Sequence, residues 1–175
     1  MKFSEGQVVV HPHHGPATVT AITTRVVRDE PRKYLRLEVL GTNLVVGVPL
    51  AGAEEAGVRP LVAADELRDL FAVLTAPSGD EEEGWSRRIK ANVERLRTGE
   101  LPTIAGLVRD LVRRQDGKGL SLGEKDLLRD ARGPLVAELA LALGLPDDEA
   151  DAVMEAAIRD GIVPALPTEE LARAV

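Results

Sequence analysis

Hydrophobic residues recur with two different periods along this chain, and the change from one to the other constrains the fold most. Up to about residue 50 the pattern is that of short strands. Gln7–His11 is a Val-rich run between Gly6 and Pro12, and Ala17–Thr24 is rich in Val, Thr and Ile. In Lys33–Val39, Leu35, Leu37 and Val39 alternate with Tyr34, Arg36 and Glu38, and Leu44–Val48 lies between the turn signal Gly41-Thr42-Asn43 and Pro49. Strict alternation places one set of side chains on a buried face and the other in solvent. Short strands with tight connections predict a small antiparallel barrel. Residues 65–74 read as a short helix capped by Asp65, with Leu67, Leu70, Phe71 and Leu74 on one face. After residue 84 the period is helical. Trp85, Ile89, Val93 and Leu96 share a face, as do Ile104, Leu107, Val108, Leu111 and Val112 up to the glycines at 117 and 119. Ser121 and Glu124 have the form of a capping box opening a third helix, which Gly133-Pro134 is expected to break or kink. Leu135–Leu143 continues as an apolar helix, Asp147–Arg159 as an acidic one, and a last turn is expected at Glu169–Ala174.

The fold class is therefore α+β in two domains, a β-barrel followed by an all-α bundle. Residues 1–60 form the barrel, 61–84 a connecting helix and acidic loop, 85–160 the helical domain and 161–175 a tail. The loop, 76–84, holds Pro77, Gly79 and the carboxylates Asp80, Glu81, Glu82 and Glu83.

Charge follows the same division. The 175 residues carry a formal −7, which on its face argues against nucleic-acid binding. Residues 1–76 hold 8 basic and 9 acidic side chains, residues 77–134 hold 12 and 11, and residues 135–175 hold 2 and 9. The excess thus lies wholly in the last segment, and residues 85–132 alone carry 12 basic against 7 acidic side chains. The chain has no cysteine, which excludes a disulfide framework, a thiolate zinc site and a cysteine nucleophile. No apolar run reaches the roughly 18 residues that span a bilayer, and the N-terminus lacks a signal-peptide apolar region. A cytoplasmic protein that does not bind membranes is the expectation.

Two clusters are candidates for chemistry. His11, His13 and His14 form the run His-Pro-His-His-Gly, and imidazoles this close can bind a metal. They straddle a proline in a turn with no carboxylate beside them, so local hydrogen bonding is the simpler reading and no metal is assigned. Neither a nucleophile elbow, nor a P-loop, nor a dinucleotide fingerprint is present, and no enzyme or cofactor is expected. The second cluster is Trp85-Ser86-Arg87-Arg88-Ile89-Lys90-Ala91-Asn92. Trp85 is the only tryptophan, in line with Ile89, Val93 and Leu96, which suits a core residue. It also opens a helix beside Gly84 with three cations after it, which suits an exposed ring beside a phosphate backbone. Arg113, Arg114, Lys118 and Lys125 extend the basic face.

With these motifs the chain resembles the CarD/CdnL-like bacterial transcription regulators, closely the actinobacterial CarD proteins. The shared pieces are Val-Val-Val-His-Pro-His-His-Gly at 8–15, Ala-Ile-Thr-Thr-Arg at 21–25, Tyr34-Leu35, Val48-Pro49, Trp-Ser-Arg-Arg-Ile-Lys-Ala-Asn at 85–92, Val-Arg-Asp-Leu-Val-Arg-Arg at 108–114 and Leu-Ser-Leu-Gly-Glu-Lys at 120–125. The resemblance runs collinearly over residues 1–143. It implies a Tudor-like barrel that docks on the β-subunit lobe of bacterial RNA polymerase by strand pairing and arginines, and a helical domain that binds promoter DNA. Arg25 matches one polymerase-binding arginine. Gly47 stands where the family has another, and a weaker or differently arranged contact is the expectation. Trp85 matches a residue that enters the minor groove at the upstream edge of the melted promoter, and Arg87, Arg88, Lys90 and Lys125 match residues that hold the backbone. Bottom-up and family readings together assign DNA binding to Trp85, Arg87, Arg88, Lys90, Arg114 and Lys125, in a monomer that stabilises the open complex with little sequence preference. The alternatives are a diverged paralogue with a weakened polymerase contact, motivated by Gly47, and a metal-dependent enzyme centred on the histidines.

Overall fold

A computed structural model of the chain describes residues 2–79, 82 and 84–166. Asp80, Glu81 and Glu83 of the acidic loop, and the turn expected at Glu169–Ala174, lie outside the described residues. The chain divides into two compact units, residues 1–61 and 62–175.

The first unit is a five-stranded antiparallel sheet. It is built from β1 (Val8–His11), β2 (Gly15–Val27), β3 (Glu30–Val39), β4 (Val45–Pro49) and β5 (Arg59–Pro60), in the order β4-β3-β2-β1-β5. The period-2 pattern sets its faces: Leu35, Leu37 and Val39 are buried with Val9, Ala17, Val19, Val48 and Val58, while Arg36 and Glu38 are exposed. Two turns fix the register. His11 pairs with Gly15 across the first, where Gly15 takes a positive φ of 74°. Across the second, Val27 pairs with Glu30, and Arg28 and Asp29 both take left-handed φ values, as a two-residue hairpin loop requires. The two-residue strand β5 was not foreseen. It pairs Val9 with Pro60 and Val10 with Arg59.

The second unit is all helical, as its period requires: α1 (Ala64–Thr75), α2 (Trp85–Arg97), α3 (Leu101–Gly117), α4 (Leu122–Leu143) and α5 (Asp147–Asp160). Helix α3 runs through the core, where Leu107, Val108 and Leu111 pack with residues of α1, α4 and α5. Helix α1, read from sequence as a connection, belongs to this core through Leu67, Leu70, Phe71 and Leu74. Its cap also differs from expectation. The N-cap is Ala63, whose backbone N–H donates to Glu66 at 2.9 Å, and Asp65 lies inside the first turn. The expected break at Gly133-Pro134 does not occur, since α4 continues through both residues. Pro134 removes one backbone bond. Buried side chains on both sides of it, Leu128 and Ala131 before and Leu135, Val136 and Leu139 after, hold the helix in place.

Buried charges tie the helices together. Glu138 on α4 is buried and accepts the Val62 backbone N–H at 3.1 Å. Arg113 on α3 donates to Ala76 O at 2.6 Å and Ile158 O at 2.9 Å, a cation at the C-terminal ends of α1 and α5. Acidic α5 docks through Ala150, Met154, Ala157 and Ile158, with Arg132 of α4 bonded to Asp151 and Glu155. The Asp151 hydrogen bond, with Glu155, raises the Arg132 pKa and outweighs burial, which lowers it.

Candidate nucleic-acid interface

The first turns of α2 and α4 lie side by side, and one buried carboxylate organises them. Ser121 caps α4, its backbone N–H donating to Glu124 Oε2 at 2.9 Å and the Glu124 backbone N–H donating to Ser121 Oγ at 3.4 Å. The Ser121 hydroxyl donates to the same carboxylate at 2.7 Å, which turns its lone pairs toward α2. There the indole N–H of Trp85 donates to Ser121 Oγ at 3.1 Å. The other Glu124 oxygen accepts Arg88 Nε at 2.8 Å and Arg114 Nε at 3.1 Å. Burial raises the Glu124 pKa, but the bonds from Arg88 and Ser121 and the charge of Arg114 outweigh it and lower it to about 2. The side chain is 1% exposed and ionised at neutral pH.

This hub fixes where each predicted site residue stands. Trp85 is the first residue of α2 after Gly84, and its ring is 56% exposed while its N–H is held. The core side of its stripe is carried by Ile89, Val93 and Leu96, which pack partly buried against the bundle. Of the predicted cations, Arg87, Lys90 and Lys125 are exposed. Arg88 and Arg114 are 16% and 14% exposed and bound to Glu124. They turn into a groove of about 510 Å³ between α2 and α3, also lined by Asn92, Arg95, Arg109 and Arg113. Several of those cations are held internally: Arg95 and Arg109 share Asp110, and Arg109 also grips Val73 O at 2.8 Å. The basic stretch thus separates into exposed cations on the N-terminal halves of α2 and α4 and inward cations that build the bundle. Sequence reasoning found the capping box but not that its serine and glutamate reach α2, because a contact across 36 residues leaves no local signal.

In the first unit, Arg25 on β2 is exposed, its guanidinium 5.5 Å from the Tyr34 ring centroid. Gly47 on β4 is exposed and pairs with Arg36 of β3, which pairs on its other side with Ala21. Residues directly opposite share a face, so Arg36 stands between two positions with little or no side chain. A Cβ built at Gly47 meets nothing within 4 Å. The histidines occupy the β1–β2 turn. His11 stacks on His14 at 4.6 Å, and its Nδ1 accepts the His13 backbone N–H at 3.2 Å. Burial, with the nearby His14 and His13, lowers the His11 pKa to about 4, so the ring is neutral at pH 7. Among the described residues, no three His, Cys, Asp or Glu side chains are grouped to hold a metal. No helix among them is long and apolar enough to cross a membrane.

Two sequence models of known domains match the chain in tandem. Residues 3–62 match the CarD-like/TRCF RID domain, and residues 69–155 match the CarD C-terminal domain. A protein of Bacillus subtilis (strain 168) named "Putative transcription factor YdeB" is 27% identical over 147 residues, covering 84% of this chain and 96% of that protein.

Proposed function

This chain belongs to the CarD/CdnL-like family of transcription regulators that bind RNA polymerase, and from that premise we propose that it stabilises the promoter open complex without catalysing a reaction. The sheet unit anchors on the polymerase β-subunit lobe. The helical unit then works at high effective concentration on DNA at the upstream edge of the bubble, as a monomer in the bacterial cytoplasm. Trp85 enters the minor groove there and opposes collapse of the melted region, while Arg87, Lys90 and Lys125 neutralise phosphates. The observation that carries this reading is the exposed indole held by Ser121 at the first turn of a helix flanked by exposed cations. A ring fixed before binding loses little entropy on insertion. Arg88 and Arg114 act as positioning residues through Glu124. One wedge and phosphate contacts give little sequence preference. The test is the lifetime of purified polymerase–promoter complexes under competitor challenge, with and without this protein. A longer lifetime is expected, and an unchanged one overturns the proposal.

Gly47 favours a second reading, a diverged paralogue with a weak polymerase contact. Against it stands Arg36, whose exposed position opposite Gly47 puts a cation on the outward face beside the free edge of β4. A pull-down against the β-subunit lobe separates the two: binding lost on Arg25→Glu or Arg36→Glu supports the anchor, and no binding by the wild type supports the paralogue.

A further inference from the structure

The first residue of α2 and the first residue of α4 are both large, apolar and exposed. Trp85 is 56% exposed, and Leu122, at 77%, is the most exposed large apolar side chain among the described residues. Helix formation does not ask for leucine there, since first turns favour proline and acidic residues. The core does not ask for it either. Leu127, Leu128, Ala131 and Leu135 form the buried stripe of α4, and Leu122 stands outside it.

Two hydrogen bonds lock these helix starts together, and the helices approach closely at Gly123. Trp85 Nε1 donates to Ser121 at 3.1 Å, Arg88 Nε donates to Glu124 at 2.8 Å, and a Cβ at Gly123 would stand 3.4 Å from Ile89 Cδ1. Leu122 follows directly on the serine that holds the indole, so the two apolar side chains keep a fixed offset. Arg87 and Lys125 lie exposed on the same two first turns, and Lys90 lies exposed on the second turn of α2. An apolar pair at the ends of two helices that also carry exposed cations complements a surface with apolar sugar walls between two rows of phosphates, which is the minor groove of a duplex.

We propose that Leu122 forms a second element of the wedge, packing on the sugar wall of the minor groove beside the base step that Trp85 enters. This rests on the DNA reading of Trp85. The test is fluorescence anisotropy of the full-length protein on a short labelled duplex with an unpaired segment at one end, over a salt series, with a parallel pull-down against the polymerase β-subunit lobe. Leu122→Ser is expected to weaken binding about fivefold, the scale of one partly buried leucine, with the slope against salt unchanged. Leu122→Met, apolar and flexible, is expected to stay within about twofold of wild type. Binding by Leu122→Ser equal to wild type, with binding by Trp85→Ala lost, overturns the inference and leaves the DNA reading standing. Equal losses in the serine and methionine variants also overturn it, because they mark a structural need for leucine. So does a serine variant that keeps its DNA affinity but loses polymerase binding or changes its self-association, which gives the patch to a protein partner. If Trp85→Ala itself binds as wild type does, the DNA reading fails and the inference with it.

Discussion

At the scale of single residues, Glu124 decides the most. One ionised carboxylate holds Arg88, Arg114 and the Ser121 hydroxyl, and through that hydroxyl the Trp85 indole. Glu124→Ala leaves two poorly exposed guanidiniums without their anion, and a loss of about 3 kcal/mol is expected, the scale for breaking a buried pair. Urea unfolding followed by far-UV circular dichroism measures it. Trp85→Ala, by contrast, removes a half-exposed ring and one hydrogen bond, and should cost no more than about 1 kcal/mol in the same experiment. The cations divide similarly. With Arg87, Lys90 and Lys125 on phosphates, the slope of log K against log salt should be about −3, at about −0.9 for each phosphate. Arg87→Ala should reduce that slope by about one unit, whereas Arg88→Ala should lower stability and leave the slope nearly unchanged. Titration of the free protein with a short duplex checks both.

At the scale of elements, periodicity made the strands and helices legible, because side-chain alternation and the helical stripe are local consequences of burial. Leu35, Leu37 and Val39 fall inward as their spacing requires, and Ser121 caps α4 as its motif requires. Legibility failed where a distant element overrides the local rule. Pro134 reads as a break, yet the packing of α4 carries it, so Pro134→Ala should raise stability by about 1 kcal/mol, the restored N–H and better propensity being partly offset by a freer unfolded chain. Differential scanning calorimetry tests the sign. The candidate site shows the same limit. Trp85 was placed at the helix start from sequence, but whether its ring is core or surface depends on α4, 36 residues away. On β4, Gly47→Arg meets open space, and a tighter hold on the β-subunit lobe in the pull-down is expected.

At the scale of the molecule, the formal −7 hides a division of labour. The acidic excess belongs to residues 135–175, and part of it is used internally, where Arg132 of α4 binds Asp151 and Glu155 of α5. The two units should also respond to acid in separate windows. His11 has its pKa lowered from 6.5 to about 4, so the unfolded sheet unit binds a proton that the folded one refuses, and that unit loses stability as pH falls from 6.5 toward 4. Glu124 has its pKa lowered from 4.5 to about 2, so its support of the helical unit is complete above 4.5 and lost as pH falls toward 2. Amide signals of the two units in two-dimensional NMR, followed through an acid titration, should weaken in that order. The most direct measurement of the central claim is the competitor-challenged lifetime of the polymerase–promoter open complex with wild-type protein and with Trp85→Ala. A wedge predicts that the variant still binds polymerase but loses about tenfold of the added lifetime, the scale of one stacked base. A variant that prolongs the complex as well as wild type contradicts it.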